Sequence, residues 1–466
     1  MLTYSFENKG DSPLYVYLYN RIKDDILSGK LKPNEKLPSK RNLAQHLKIS
    51  IITVENSYAQ LILEGYIYSV EKKGYFVSTL QETLPAAIEA HTPSSEYIHD
   101  TSKAACDFDF KSNNICSGKF PFSIWAKLMR ETLSEQDNRL LEAMPFNGIK
   151  ELRIAIADYL FHFRGMLVSP DQIIVGAGTE YLYSLIVQLL GRNNVFAIED
   201  PGYKKIAKVY QCNGVRSETI GVDNSGLSVS ELKCSNANIA HISPSHHFPS
   251  GIVMPIKRRH ELLMWANEKN ERYIIEDDFD SEFRFSGRPV QTLQSIDVNQ
   301  KVIYINTFSK TIAPSIRISY MVLPEHLVDK YVENLNFYSC TVPSFEQLTL
   351  AKFISNGYFE RHINRMRIYY KKQRDLVIRS LLSSSIGDNI TITEENAGLH
   401  FLLKVKTDMS DGDIINAAEN EGIKISCLSE YYYDTKRQKS GIIVINYSGI
   451  DYDKVEEAIK RLLRIF

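Results

Sequence analysis

Hydrophobic positions near the N-terminus recur at helical spacing. Leu14, Leu18, Ile22 and Ile26 fall every four residues, which predicts a helix with one apolar face. Asp11-Ser12-Pro13 supplies a cap residue and a first-turn proline before it, and Gly29 ends it. A second short helix is predicted behind Ser39, carrying Leu43, Ala44 and Leu47. After a break at Lys48-Ile49-Ser50, a third places Val54, Tyr58 and Leu61 on its buried face and Thr53, Asn56, Ser57 and Gln60 on the other. Two β-like runs, Tyr66–Val70 and Tyr75–Val77, flank the turn Glu71-Lys72-Lys73-Gly74. Three helices and a hairpin match a winged helix-turn-helix, and periodicity alone equally allows a small helical protein-interaction domain. In the first reading the third helix offers Thr53, Asn56 and Ser57 to base edges. Ser39, Lys40 and Arg41 hold phosphates, and Lys72 and Lys73 reach a neighbouring groove.

Residues 78–105 lose periodicity around a Thr-Pro-Ser-Ser cluster and read as a linker. From about residue 107, short β-branched runs alternate with helical stretches: Gln172–Val175, Val195–Glu199, Ile239–Ser243, Arg272–Glu276, Val302–Asn306 and Ile318–Leu323. That alternation predicts an α/β domain, a mostly parallel sheet with helices on both faces. Residues 345–466 read as a smaller α+β part, with a long helix over Phe345–Leu381 breakable at Gly357 and strands at 399–405 and 441–446. The expected domains are therefore 1–80, a linker at 81–106, a large domain at 107–344 and a small part at 345–466.

The 466 residues are 44% apolar and 24% charged, a globular composition too long for one ordinary core. Net charge is −1, but residues 1–80 hold eleven Lys/Arg against eight Asp/Glu, a faint basic bias on the segment expected to meet DNA. No apolar run spans a bilayer, and the first residues carry neither a basic start nor an apolar signal core, so a cytoplasmic protein is expected. Six scattered cysteines form no CxxC pair and read as free thiols.

Four local sequences carry the candidate chemistry. Val175-Gly176-Ala177-Gly178-Thr179-Glu180 is a glycine-flanked turn opening a helix, where backbone N–H groups can face an anion; such turns also simply join strand to helix. Ile275-Glu276-Asp277-Asp278-Phe279-Asp280 ends an apolar strand, where a carboxylate can bind a metal or pair with a protonated ring nitrogen. Asn306-Thr307-Phe308-Ser309-Lys310-Thr311 ends another; burial there lowers an amine's pKa and favours Schiff-base chemistry, and Arg317 can clamp a phosphate. Ser243–Gly251 carries His246 and His247; with no third ligand nearby in sequence, the pair is expected to be positional and no metal is expected. On one α/β frame the first three describe a site for pyridoxal 5'-phosphate (PLP).

Nearly the whole chain resembles one family. Residues 13–77 resemble the GntR-type winged helix. "FPFSIW", "ELRIAIADYL", "QIIVGAGTEYL", "EDPGYKK", "SPSHHFPSGIVMPIKRRHELLMWA", "IIEDDFDSEFRF" and "NTFSKTIAPSIRISYMVLP" resemble, in order, its MocR-type subgroup, whose effector domain has the fold-type-I aminotransferase fold. The resemblance implies that Lys310 forms the internal aldimine and Asp277 pairs with the pyridinium nitrogen. It implies that Tyr203 stacks on the ring, and that Gly178, Thr179, Ser309 and Arg317 contact the phosphate. Ser39, Arg41, Ser50, Thr53 and Gly74 fall on DNA-facing positions. A homodimer binding an operator is implied, with PLP or a PLP–amino acid adduct as effector.

The chain also departs from the pattern. Phe279 stands where the family usually has a tyrosine to reach the cofactor's phenolic oxygen. The strand Ile443-Val444-Ile445-Asn446-Tyr447 lacks the arginine that takes a substrate carboxylate in aminotransferases. Lys205 stands where some relatives carry arginine, and Ile51 replaces an arginine in the reader. A regulator is therefore expected before a working aminotransferase.

Overall fold

The computed structural model describes residues 2–6, 12–79, 106–112, 114, 116–134, 138–285, 290–396 and 398–466. The chain divides into two compact units, Met1–Thr101 and Ser102–Phe466. The linker expected over 81–106 lies, apart from Cys106, outside the described residues, as does Asp11. No described helix is long and apolar enough to cross a membrane.

The first unit has helices α1 (Leu14–Leu27), α2 (Lys40–Leu47) and α3 (Ile51–Leu63), then an antiparallel hairpin of β1 (Ile67–Val70) and β2 (Gly74–Val77). Pro13 is itself the N-cap of α1, so the cap-then-proline expectation shifts by one residue. Ser39 and Ser50 cap α2 and α3, accepting from the backbone N–H of Asn42 and Ile52 at 3.2 Å. Leu18, Ile22, Leu43, Val54, Tyr58 and Leu61 close one core, the expected face of each helix. The winged helix-turn-helix is the observed architecture.

The second unit is the expected α/β domain. Its eight-stranded sheet runs in the order β4 (Ile173–Gly176), β11 (Ser319–Val322), β10 (Val302–Thr307), β9 (Tyr273–Asp277), β8 (Ile239–Ile242), β5 (Val195–Asp200), β6 (Arg216–Asp223) and β7 (Gly226–Leu227). The run from β10 to β6 is parallel, while β11 is antiparallel to both neighbours. A short strand β3 (Phe108–Asp109) pairs in parallel with β14 (Ile423–Lys424). The C-terminal part carries an antiparallel sheet, in the order β12 (Ile390–Thr393), β13 (His400–Val405), β16 (Ile442–Asn446) and β15 (Ser426–Cys427). Gly357, at φ 70°, separates the helices Ser344–Ser355 and Tyr358–Leu382, which is the break its position suggests. One apolar cluster joins the two sheets, with Leu152, Ile173 and Tyr304 beside Phe401 and Ile443.

Candidate functional site

A cavity of about 550 Å³ opens at the carboxyl ends of β5, β8, β9 and β10, the edge where open α/β sheets place ligands. Asp277 ends β9 and Lys310 follows β10, and both line it. Parallel pairing of the two strands puts Asp277 opposite Ile305, so residues 33 apart in sequence reach one rim. Burial lowers the Lys310 pKa against the pull of Asp280, favouring a neutral, nucleophilic amine. Asp277 is buried. Its Oδ2 accepts the hydroxyl of Tyr183 and lies 3.5 Å from His241 Nε2, while Oδ1 has no hydrogen-bond partner. A buried orphan carboxylate oxygen facing a cavity suits a protonated ring nitrogen.

The anion cup lies at the start of the helix Thr179–Leu190. Gly178 takes φ 97°, and a Cβ there would stand 2.2 Å from Arg317 Nη2, so only glycine lets the guanidinium lie against the turn. Arg317 Nη2 donates to Glu180 Oε2 at 2.6 Å, and Lys205 closes on the other oxygen. Burial pushes the Glu180 pKa up, but Lys205 and Arg317 outweigh it and bring it to about 2. Glu180 thus stands as a carboxylate on Lys205 and on Arg317, the cation expected to contact a phosphate. Thr179 and Ser309 line the same cavity, with the Ser309 hydroxyl donating to the Ile316 carbonyl at 2.8 Å. Tyr203 is half exposed over the mouth, edge-on to Phe248 at 6.0 Å. Phe279 lines the cavity and brings no hydroxyl.

Sequence reasoning did not pick out Tyr183, His241, Glu180 or Glu199, which their own segments do not mark. Glu199 stands one residue before the end of an apolar strand, much as Asp277 ends one, and that is the one signal that could have found it. Burial raises its pKa to about 8, and Oε2 accepts the Ser243 N–H at 3.1 Å. His247 Nε2 lies 3.4 Å from that oxygen, and burial drops its own pKa to about 3. His246 and His247 turn inward, away from the cavity lining.

In the reader, Ser39, Arg41, Ser50, Asn56, Lys72 and Lys73 are exposed, and Lys40, Thr53 and Gly74 half-buried. Lys40 is tied to Glu55 and lies over the Tyr75 ring at 5.7 Å. Ser57 is a correction. It is fully buried, its hydroxyl held by the carbonyls of Tyr15 at 2.8 Å and Thr53 at 2.9 Å, because α3 packs that face on α1. It has nothing to offer a base edge.

Comparison with known proteins agrees with this geometry. Residues 14–77 match the family "Bacterial regulatory proteins, gntR family", and residues 107–462 match "Aminotransferase class I and II". The uncharacterised HTH-type transcriptional regulator YdeL of Bacillus subtilis is 38% identical over 97% of this chain and 96% of its own. The probable rhizopine catabolism regulatory protein MocR of Rhizobium meliloti is 31% identical over 99% of this chain and 95% of its own. The solved kynurenine aminotransferase of Pyrococcus horikoshii superposes with a TM-score of 0.67 at 23% identity, covering 78% of this chain and 91% of that one, and shows the shared fold. With a GntR reader and an aminotransferase-like unit on one polypeptide, and regulators matching it end to end, the chain belongs to the MocR-type subgroup of GntR-family HTH-type transcriptional regulators.

Proposed function

We propose that this regulator binds PLP at Lys310 and Asp277 and reads a small amine or PLP itself as its effector, as a cytoplasmic homodimer on operator DNA. The observation that carries the reading is the strand-end cavity, where a pKa-lowered lysine, an orphan Asp277 oxygen and an arginine cup meet. When bound, PLP supplies an aldehyde that captures primary amines covalently. The chain's own residues do the rest. Asp277, oriented by Tyr183, would hold a proton on the ring nitrogen. Arg317, Gly178, Thr179 and Ser309 would hold the phosphate, with Tyr203 over the ring. Burial would keep the Lys310 amine neutral, so that it could give way to an incoming amine and later take its place again.

Effector binding would shift the populations of two arrangements of the dimer and so change how it engages paired half-sites. On DNA, Arg41, Lys72, Lys73 and the capping serines Ser39 and Ser50 would take phosphates. Thr53 and Asn56 would face bases, with Gly74 at the wing turn and Lys40 contributing once released from Glu55.

A working aminotransferase is disfavoured by Phe279 and by the missing arginine on β16. The test is a gel shift on DNA upstream of the chain's own gene, with PLP titrated, beside Lys310→Ala. The expected result is a shift that PLP modulates in the native chain, with basal binding kept and modulation lost in the variant. A native-chain shift indifferent to both PLP and amines, or rapid ketone formation from a common amino acid, would overturn the reading.

A further inference from the structure

Of the two inward-facing histidines, His246 belongs to a cluster outside the cavity lining. His246 follows β8, Asp280 follows β9, and His400 opens β13, so three distant segments converge. All three side chains are buried. His246 Nδ1 lies 2.8 Å from Asp280 Oδ2, and one ligand atom from each of the three falls within 4.8 Å of the others. The His246 and His400 rings are 4.4 Å apart, centroid to centroid. His246 Nε2 makes no hydrogen bond, and His400 has only the Pro249 carbonyl facing it, outside good hydrogen-bond geometry. Buried imidazole nitrogens without partners are costly, so so many in one place ask for a ligand. The backbone makes room for them: Gly398 takes φ 69°, and a Cβ there would sit 1.8 Å from His246 Cε1. His246, Asp280 and Gly398 also border a cavity of about 10 Å³, with Ser245 and Ser281 on its wall. That is space for about one water, the fourth ligand such a set lacks.

We propose that His246, Asp280 and His400 form a binding site for a divalent transition metal, with Zn²⁺ the ion of choice. Two imidazoles and a carboxylate are a zinc-type donor set, and tetrahedral ligands about 2.1 Å from the ion stand roughly 3.4 Å apart. The His246–Asp280 pair, at 2.8 Å, must open by roughly 0.6 Å, and any wider pair must close by at most about 1.4 Å, within the reach of small side-chain rotations. Arg164 and Arg284 also border the small cavity, and Asp278 neutralises Arg164. The ion would pin the turn after β8 and the turn after β9 to β13. Phe248 and Phe279, which line the effector cavity, sit two and one positions from its ligands. The site stands or falls independently of PLP.

The full-length protein is loaded with Zn²⁺, dialysed against a weak chelator and assayed for metal by mass spectrometry. Asp280→Asn and His400→Gln are treated alike, and Co²⁺ serves as the visible probe. The native chain should retain one ion per chain and give intense tetrahedral Co²⁺ bands without a thiolate charge-transfer band. Both variants should bind at least about 100-fold more weakly. Asp280→Asn, nearly isosteric and able to keep a hydrogen bond to His246, decides the matter if His400→Gln fails to fold. Failure of the native chain to retain stoichiometric Zn²⁺ overturns the proposal. So does retention unchanged in Asp280→Asn, which would identify an adventitious ion only, held for instance by the exposed thiols Cys106, Cys212 or Cys234.

Discussion

Glu199 lets the electrostatics of the cavity floor be tested without any ligand. Its carboxyl is buried, Oε1 has no partner, and Oε2 has one backbone N–H. Asp277 adds like charge, and His247, the imidazole beside it, stays neutral because burial drops its pKa to about 3. Among the described residues only the Ser243 N–H favours a negative charge there; burial outweighs it, and the pKa rises from 4.5 to about 8. Below the unfolded value both states carry the proton, and its contribution is fully present. Between the two values folding takes up a proton, so stability falls as pH rises, by about 1.4 kcal/mol per unit, until the folded group ionises near the upper value. From pH 6 to 9 the loss is about 2–3 kcal/mol. Glu199→Gln fills the same space, carries no charge and should remove that slope. Urea unfolding of cofactor-free native and Glu199→Gln proteins at both pH values, followed by the fluorescence of Trp125 and Trp265 in the larger unit, gives the difference. Other buried carboxyls, such as Glu276 and Glu282, act alike in both proteins and cancel. Equal slopes in the two proteins would refute the reasoning and place an ionised Glu199 in the fold.

Glu180→Gln removes the carboxylate that occupies Arg317 and Lys205; these side chains are partly exposed, so PLP should bind only about 5-fold more tightly, equivalent to roughly 1 kcal/mol, by fluorescence titration. Weaker binding would mean that Glu180 orients the cup and does not compete for it. Ser57→Ala should leave operator affinity unchanged while costing about 1 kcal/mol of stability in the reader, whereas Asn56→Ala should weaken operator binding with little change in melting temperature. Gly398→Ala puts a methyl into the His246 ring at a left-handed position and should cost about 2–4 kcal/mol, read as a lowered melting temperature of the larger unit.

The parts of the fold visible in the sequence are those with a periodic apolar signal. The three helices of the reader and the buried strands β5, β8, β9 and β10 announce themselves by uniform or helically spaced apolar residues. β6 does not: Arg216–Asp223 mixes exposed and buried positions near the sheet edge, and no apolar run marks it. β11 is visible as a strand, but its antiparallel direction is set by chain connection, which composition does not encode. The site divides in the same way. Asp277 and Lys310 are legible because strand ends in an open α/β sheet are where ligands bind. Their partners come from elsewhere in the chain: Tyr183 lies 94 residues from Asp277, and His400 approaches His246 where one apolar core joins the two sheets.

Ser57 shows the opposite failure, in which the information was present and outweighed. Val54, Ser57, Tyr58 and Leu61 stand at i, i+3, i+4 and i+7, the spacing of a single helical face. Helix geometry therefore places Ser57 with the core, and only its polarity points outward. The hydroxyl resolves the conflict locally by bonding the Thr53 carbonyl one turn back and the Tyr15 carbonyl on α1, so burial leaves no unsatisfied donor. A small polar residue can share an apolar face wherever a carbonyl is within one turn. Asp277 Oδ1 and His246 Nε2 have no such local remedy. That difference separates a serine satisfied by its own fold from polar groups that a bound partner would satisfy.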